Sequence, residues 1–167
     1  NNGSSLAILP SVHKESTCGI ESWREAVLSR DHKGNIASFK EKGHPETVVL
    51  WGYDGFYPVA IIENATMETV TTAMGGQSVI IAMTEADIPD QLHLDALAGL
   101  RSALPDARVT TYSYIPGIGV SSVTDPAGMT TTYEYDRGRL SCVKDHDGNK
   151  VEEYEYSLMA DDDGRRH

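Results

Sequence analysis

The chain has 167 residues, of which 40% are apolar and 23% charged, and this is the composition of a folded domain with a hydrophobic core. Its formal net charge is −11. An acidic surface of this size repels phosphate groups and therefore argues against binding to nucleic acid or to anionic lipids.

Residues 1–27 carry no clear periodic pattern, and we treat them as a poorly defined N-terminal segment. The chain starts with Asn1-Asn2 rather than with Met, so we expect it to be a piece of a longer protein. The two cysteines, Cys18 and Cys142, form neither a CxxC motif nor a zinc-site spacing, and the sequence does not decide whether they pair. No apolar run approaches the roughly 18 residues of a membrane span.

Segment 28–64 is predicted to form β-hairpin repeats. The run Asp31-His32-Lys33-Gly34 places Asp and Gly where a tight turn favours them. The run Trp51-Gly52-Tyr53-Asp54-Gly55 then puts two aromatic residues at i and i+2, which is one face of a strand. A second strand is predicted after it, because two sets of residues alternate: Tyr57, Val59 and Ile61 with Pro58, Ala60 and Ile62.

Segment 65–107 interrupts the β pattern and is predicted to be a small helical insert. Thr66 suits the N-cap of a short helix over 67–74, and Gly75-Gly76 ends that helix. The run Val79–Met83 fits a helix or a strand equally well.

A longer helix is predicted over Gln91–Ala103, with Asp90 as its N-cap and Pro105 as its stop. Leu97, Leu100 and Leu104 follow helical spacing, so we expect them to pack on the rest of the chain. We interpret the insert as a cover for one face or edge of the sheet, rather than as a recognition element.

Three tyrosine pairs mark segment 108–158, where the repeat is clearest. They are Tyr112 with Tyr114, Tyr133 with Tyr135, and Tyr154 with Tyr156, and 21 residues separate equivalent positions. Tight turns are predicted between them at Asp125–Gly128, Asp136–Gly138 and Asp145–Gly148. This repeated pattern of tyrosine pairs and turns predicts consecutive antiparallel strands whose tyrosine rings pair across the ladder. We also expect an open edge strand on which Tyr154 or Tyr156 is partly exposed.

The run Tyr133-Glu134-Tyr135-Asp136-Arg137-Gly138-Arg139-Leu140, followed by Val143, Asp145 and Gly148, resembles the YD repeat of RHS proteins. The preceding run, Val123-Thr124-Asp125-Pro126-Ala127-Gly128, fits the linking turn of that repeat. The resemblance is specific over 109–157 and weaker over 28–64. It implies a mainly β fold, in which antiparallel β-hairpin repeats form a twisted sheet or a shell segment with a small helical insert.

In the RHS family the hairpins wind into a hollow shell, which encloses a C-terminal toxin in bacteria or forms an extracellular barrel in teneurins. The resemblance therefore implies a bacterial, secreted or cell-surface, toxin-associated parent protein. This chain shows only about five hairpin-like units and neither an autoprotease motif nor a toxin domain, so it matches a strip of shell wall. The expected structural repeat residues are Trp51, Tyr53, Asp54, Tyr112, Tyr114, Asp125, Gly128, Tyr133, Tyr135, Asp136, Gly138, Leu140, Asp145, Gly148, Tyr154 and Tyr156.

No catalytic, metal-binding or cofactor-binding pattern is present in the sequence. None of the six histidines pairs with another at i+2 to i+4, and there is no Gly-x-Ser-x-Gly motif. The acidic run Asp161-Asp162-Asp163 falls in segment 159–167, which is interpreted as a solvated acidic tail.

Two hypotheses of different class follow. The first is a non-catalytic structural segment whose partners are neighbouring repeats of the parent protein and an enclosed effector domain. The second is a surface binding module that uses exposed tyrosines to contact carbohydrate or a protein partner. Solvent exposure of the tyrosines distinguishes them, because packing buries the rings and binding requires them to be free. We expect neither nucleic acid nor a membrane span in either case.

Overall fold

The computed structural model describes residues 8–17 and 20–156, and the side-chain environments of residues 28–156. Within these described residues, ten antiparallel strands form one open sheet, and each strand pairs with the next one in the sequence. The strands are β1 (Ile8–Thr17), β2 (Ile20–Arg30), β3 (Ile36–Glu41), β4 (Thr47–Gly52), β5 (Tyr57–Glu63), β6 (Arg108–Ile115), β7 (Gly119–Thr124), β8 (Thr130–Asp136), β9 (Arg139–Lys144) and β10 (Lys150–Glu153). The predicted mainly β fold of antiparallel hairpins with a small helical component is confirmed.

Three turns share one geometry, which explains why the Asp-x-x-Gly motif recurs. They begin at Asp31, Asp125 and Asp145. In each turn the Gly N–H donates to the Asp carbonyl at 3.0 Å, and the Asp N–H donates to the carbonyl of the residue after Gly at 2.9–3.0 Å. The Asp carboxylate accepts the N–H of that same residue at 2.8–2.9 Å. The predicted turns at Asp125–Gly128 and Asp145–Gly148 are confirmed.

The turn at Asp136–Gly138 is tighter and is confirmed as well. Arg137 and Gly138 both have positive φ, at 48° and 78°. This backbone is typical of a two-residue hairpin loop that matches the twist of its strands.

The three helices lie between β5 and β6: α1 (Met67–Ala73), α2 (Gln77–Glu85) and α3 (Gln91–Ala103). Thr66 caps α1 and Asp90 caps α3 with their side-chain oxygens, as predicted. The run Val79–Met83, which the sequence left open between helix and strand, is helical. Gly75 and Gly76 both have positive φ and separate α1 from α2.

The hydrophobic core lies between these helices and the central strands β4–β6. Val48, Leu50 and Ile62 of the sheet and Leu100 of α3 are at most 1% exposed. Leu97 is also buried, and Leu104 packs against the same cluster, so the predicted docking of α3 is confirmed. The helices therefore cover one face of the middle of the sheet.

The N-terminal segment has more regular structure than the sequence indicated. Residues 1–27 were poorly defined in the sequence, yet β1 and β2 are long strands paired with each other over ten positions. Their sequences lack a clean apolar alternation, which is the signal that predicts strands. The predicted acidic tail, 159–167, and Cys18 lie outside the described residues.

The strand β10 is the edge at the C-terminal side of the sheet. It pairs with β9, and all four of its residues are exposed. Tyr154 and Tyr156, which follow it, are 42% and 53% exposed. Among the residues that the structure describes, this edge has no further strand beside it, and the expected partial exposure of the two tyrosines is confirmed. No helix in the described part of the chain is long and apolar enough to cross a membrane.

Candidate functional site

Neighbouring hairpins separate from one another at one end of the sheet, which carries the hairpin tips at 31–35, 53–56, 116–118 and 137–138. We call this the tip end. The two strands of each hairpin stay paired up to its tip. The ladder between β3 and β4 contains two residue pairs, that between β7 and β8 three, and that between β5 and β6 four. Each of these ladders stops before the tip end, so backbone carbonyls there need other donors.

Three aromatic side chains donate hydrogen bonds to these carbonyls. They are Trp51, Tyr114 and Tyr135, and we call them the aromatic bridges. Each one lies near the tip end of an even-numbered strand. Each donates a hydrogen bond to the carbonyl of the first or second residue of the preceding odd-numbered strand. The bonds run from Trp51 to Ile36 at 2.8 Å, from Tyr114 to Pro58 at 2.9 Å and from Tyr135 to Val120 at 2.8 Å.

The Tyr135 bridge depends on a glycine beneath it. The Tyr135 hydroxyl lies so close to Gly119 that a Cβ at this position would meet its oxygen at 2.6 Å and the ring carbon Cζ at 3.2 Å. A Cβ atom essentially never lies this close to another atom, so the Tyr135 side chain or the backbone would have to move. Gly119 is therefore needed for the space that it leaves open.

The Tyr114 bridge belongs to a cluster of three rings. Tyr114 stacks on Tyr57 with centroids 4.7 Å apart, and Tyr53 meets both rings edge-on at 5.6 Å. The Tyr53 hydroxyl accepts the Tyr114 N–H at 2.9 Å and also donates to the Tyr114 carbonyl at 3.3 Å. Burial, with a smaller effect from the neighbouring tyrosines, raises the pKa of Tyr114 to about 12.

Tyr53 reaches this position through a left-handed turn. Tyr53, Asp54 and Gly55 have φ of 55°, 57° and 81°, a conformation that costs energy for a bulky residue. The turn is held from outside: the Lys33 ammonium bonds the Asp54 carboxylate, and the Asn35 amide donates to the Gly55 carbonyl at 3.0 Å. The turn that begins at Asp31 therefore supports the neighbouring hairpin tip at 53–56.

Arg101 connects the helical insert to the repeat at the opposite end of the sheet. Its guanidinium donates to the carbonyls of Thr124 and Asp125 at 2.9 and 3.1 Å, and to the Thr111 hydroxyl at 3.1 Å. Burial lowers the pKa of Arg101, and the Asp125 carboxylate partly opposes that shift. One side chain thereby fastens the C-terminal turn of α3 to β6, β7 and the Asp125 turn.

A groove of about 440 Å³ runs beside Arg101, between α3 and the strands β6–β8. Hydroxyls of Thr111, Ser113, Thr124 and Thr130 line its sheet side, and Leu94 and Ala98 line its helix side. Thr124 and Thr130 bond each other across the ladder at 2.8 Å. The lining contains neither His nor Cys nor a carboxylate, so it provides no nucleophile activated by a base.

The structure places the predicted repeat residues in turns, in strands and after the edge strand. The turns contain Tyr53, Asp54, Asp125, Gly128, Gly138, Asp145 and Gly148, the strands contain Trp51, Tyr112, Tyr114, Tyr133, Tyr135, Asp136 and Leu140, and Tyr154 and Tyr156 follow β10. Trp51, Tyr53, Tyr114 and Tyr135 join neighbouring strands through hydrogen bonds. Tyr112 and Tyr133 are half-buried on the sheet.

Sequence reasoning missed Gly119, Arg101 and the acceptor carbonyls. Gly119 follows the Pro116-Gly117 turn, which is a weak signal for a strand that starts there. The acceptor carbonyls have no sequence signal, because every residue carries a backbone carbonyl.

Among the described residues, no three His, Cys, Asp or Glu side chains come together in a way that could hold a metal ion. Cys142 is a buried free thiol. The arrangement of the described side chains thus supports packing and strand connection.

Comparison with known proteins agrees with this geometry. Residues 119–152, which span β7, β8, β9 and the start of β10, match the family model described as RHS Repeat. No curated protein matches the sequence. The matched stretch contains the Tyr135 bridge, the Asp125 and Asp145 turns and the tight turn at Arg137-Gly138. The stretch 119–152 is thus similar to an RHS repeat, and one such repeat is matched in this chain.

Proposed function

We propose that this chain is a non-catalytic segment of the wall of an RHS/YD-repeat shell. The observation that carries the proposal is the recurrence of the aromatic bridges along a sheet whose strands pair in sequence order. Each bridge connects strands where their ladder has ended, so the sheet remains continuous while its tip end spreads. A wall that curves needs such a device, because spreading strands otherwise lose hydrogen bonds.

The exposure of the tyrosines favours this function over the carbohydrate-binding alternative. Tyr53 is 6% exposed, and Tyr57, Tyr112, Tyr114, Tyr133 and Tyr135 are all half-buried. Rings that stack on a sugar must present a free face, whereas the rings of Tyr53, Tyr57 and Tyr114 contact one another. The rings that are well exposed, Tyr154 and Tyr156, lie at the edge strand.

The substitution Tyr135→Phe tests the wall role. It keeps the ring and removes the hydroxyl that bonds the Val120 carbonyl, so the free energy of unfolding should fall by about 1 kcal/mol. Tyr156→Phe is the matched control, because the exposed Tyr156 should tolerate the same change within ~0.5 kcal/mol. Urea denaturation of both variants measures the difference.

A glycan array screened with the same proteins tests the alternative. If Tyr135→Phe leaves stability unchanged but abolishes binding to a glycan, the tyrosines are a recognition surface and the wall role fails.

The finer part of the proposal is that the parent protein is secreted or displayed on a bacterial surface and that its shell encloses or presents a C-terminal toxin or effector. Support comes from the family resemblance together with the open sheet.

Limited proteolysis of the full-length parent provides the test. An enclosed effector should resist protease until a wall substitution such as Tyr135→Ala opens the sheet. An effector that is cleaved equally fast in both forms is not enclosed.

A further inference from the structure

The groove between α3 and β6–β8 has the size and the mixed lining of a small-molecule site. Its volume of about 440 Å³ falls within the roughly 300–1,000 Å³ that is typical of ligand pockets. Leu94, Leu97 and Ala98 make its helix wall apolar, whereas its sheet wall carries hydroxyls. A ligand that fits both walls must therefore combine an apolar body with a polar group.

The sheet wall offers hydrogen-bond donors that the fold does not use. Arg101 makes its three bonds with Nε and Nη2, so the two N–H groups of Nη1 are left for a ligand. Thr124 and Thr130 share one hydrogen bond, which leaves one of their two hydroxyl protons over. Ser113, whose side chain bonds no residue in the described part of the chain, adds another hydroxyl. The surplus of donors favours a ligand that carries acceptor oxygens.

The charge of the groove restricts the ligand further. Arg101 is the one ionised side chain among the lining residues, although the whole chain carries a net charge of −11. Asp125 is the carboxylate that acts on Arg101, and it already accepts the Met129 N–H at 2.9 Å. A dianion such as phosphate would be repelled twice over by Asp125 and by the acidic protein. A monoanion keeps the attraction of the half-buried guanidinium at half that repulsion.

We propose that this groove binds an organic monocarboxylate with an apolar body. Its carboxylate accepts hydrogen bonds from Nη1 of Arg101 and from Ser113, and its apolar body lies along Leu94 and Ala98. Thr111, which bonds Arg101, and Ser113 are two residues apart on β6, so their side chains share one face of that strand. Arginine suits this double role, because its planar fork can bond strand carbonyls and a carboxylate at the same time. Such binding is additional to the wall role and does not depend on it.

A matched pair of ligands tests the class of ligand. The probes are 4-phenylbutyrate and its neutral amide, 4-phenylbutyramide, titrated into the intact chain and followed by amide shifts in two-dimensional NMR. The carboxylate should bind with a Kd of about 1 mM, as expected for a ligand of this size, and shift the amides of Thr111, Ser113 and Thr124. The amide should bind about tenfold more weakly, and added salt should weaken the binding of the carboxylate alone.

Substitutions in the walls test the place of binding. Ala98→Phe should abolish binding, because Ala98 is exposed on α3 and the new ring would fill the groove. Ala103→Phe is the matched control, since Ala103 is exposed on the same helix but lies outside the groove, and it should bind as wild type does. Ser113→Ala should weaken binding of 4-phenylbutyrate about fivefold through the lost hydrogen bond, whereas Ser102→Ala, exposed on α3, should not.

Removal of the cation tests the basis of selectivity. Arg101→Gln should bind the carboxylate and the amide equally, and if that variant does not fold, Ala98→Phe decides, because it leaves Arg101 in place. Three results would each overturn the proposal. They are equal affinity of the wild-type chain for both probes, unchanged binding to Ala98→Phe, and competition by inorganic phosphate at the same concentration as 4-phenylbutyrate.

Discussion

At the scale of single residues, one physical need recurs along the chain: a backbone carbonyl exposed where a ladder ends. Trp51, Tyr114 and Tyr135 meet this need with an N–H or O–H carried on a ring. A ring spans the gap between spreading strands and adds apolar contact area, which a serine or threonine hydroxyl cannot do. Phenylalanine could not replace Tyr114 or Tyr135 in this role, because it lacks the hydroxyl that donates the bond.

The contact between Gly119 and Tyr135 gives a prediction about coupling. Gly119→Ala should destabilise the protein by about 1–3 kcal/mol, because the new Cβ would lie 2.6 Å from the Tyr135 hydroxyl. In a Tyr135→Phe background the same change should cost less, since the closest atom is gone. A double-mutant cycle measured by urea denaturation gives the coupling energy. Additive effects of the two substitutions would show that the hydroxyl is not what excludes a side chain at Gly119.

The raised pKa of Tyr114 predicts loss of stability at alkaline pH. The folded state holds the pKa of Tyr114 at about 12, above the unfolded value near 10, because burial disfavours the phenolate. The stabilising contribution is therefore fully present below pH 10 and is lost as the pH rises from about 10 to 12. The free energy of unfolding should fall across this window, and Tyr114→Phe should flatten the fall.

At the scale of elements, α3 connects two parts of the molecule. Leu97 and Leu100 enter the core under β4–β6, and Arg101 on the adjacent side bonds the carbonyls at the end of β7. The helical insert thus contacts both the first hairpins and the matched RHS repeat. An insert that only covered a sheet face would need no such polar connection.

This docking predicts a large effect from a single truncation. Leu100→Ala should reduce the free energy of unfolding by about 2–5 kcal/mol, because Leu100 is fully buried in the core. Leu92→Ala on the same helix is the control, since Leu92 is 70% exposed and should cost less than ~0.5 kcal/mol. Chemical denaturation of both variants checks the result. Equal effects would mean that α3 does not dock through its buried face.

The sequence predicted those elements whose signals are local. The Asp-x-x-Gly turns, the cap at Asp90 and the leucine spacing of α3 all depend on neighbouring residues, and all are found. The run Val79–Met83 stayed open because a short apolar segment suits either structure. The aromatic bridges could not be derived, since the partner of Tyr135 is a backbone carbonyl 15 residues away.

At the scale of the whole molecule, the sheet is unequally supported. Strands β4–β6 have neighbours on both sides and helices over one face, whereas β10 has one neighbouring strand and no buried side chain. The contact between Arg101 and the Asp125 turn extends helical support as far as β7. Beyond it, β8 and β9 are held by their ladders, the buried side chains of Cys142 and Val143, the Tyr135 bridge and the Glu134–Lys144 pair.

This gradient predicts the order of amide exchange. Amides of Leu50, Ile62 and Val109 should exchange slowest, because their opening requires the core to unfold. Amides of β8 and β9 should be intermediate, and the outward-facing amide of Glu153 should exchange fastest among the strand residues. Arg101→Met should speed exchange in β7 and β8 selectively, because it releases the end of β7 while leaving Leu97 and Leu100 in place. Hydrogen–deuterium exchange with mass spectrometry measures this order. Uniform exchange from β4 to β10 would instead show that the sheet opens as one unit, with the repeat as firmly held as the core.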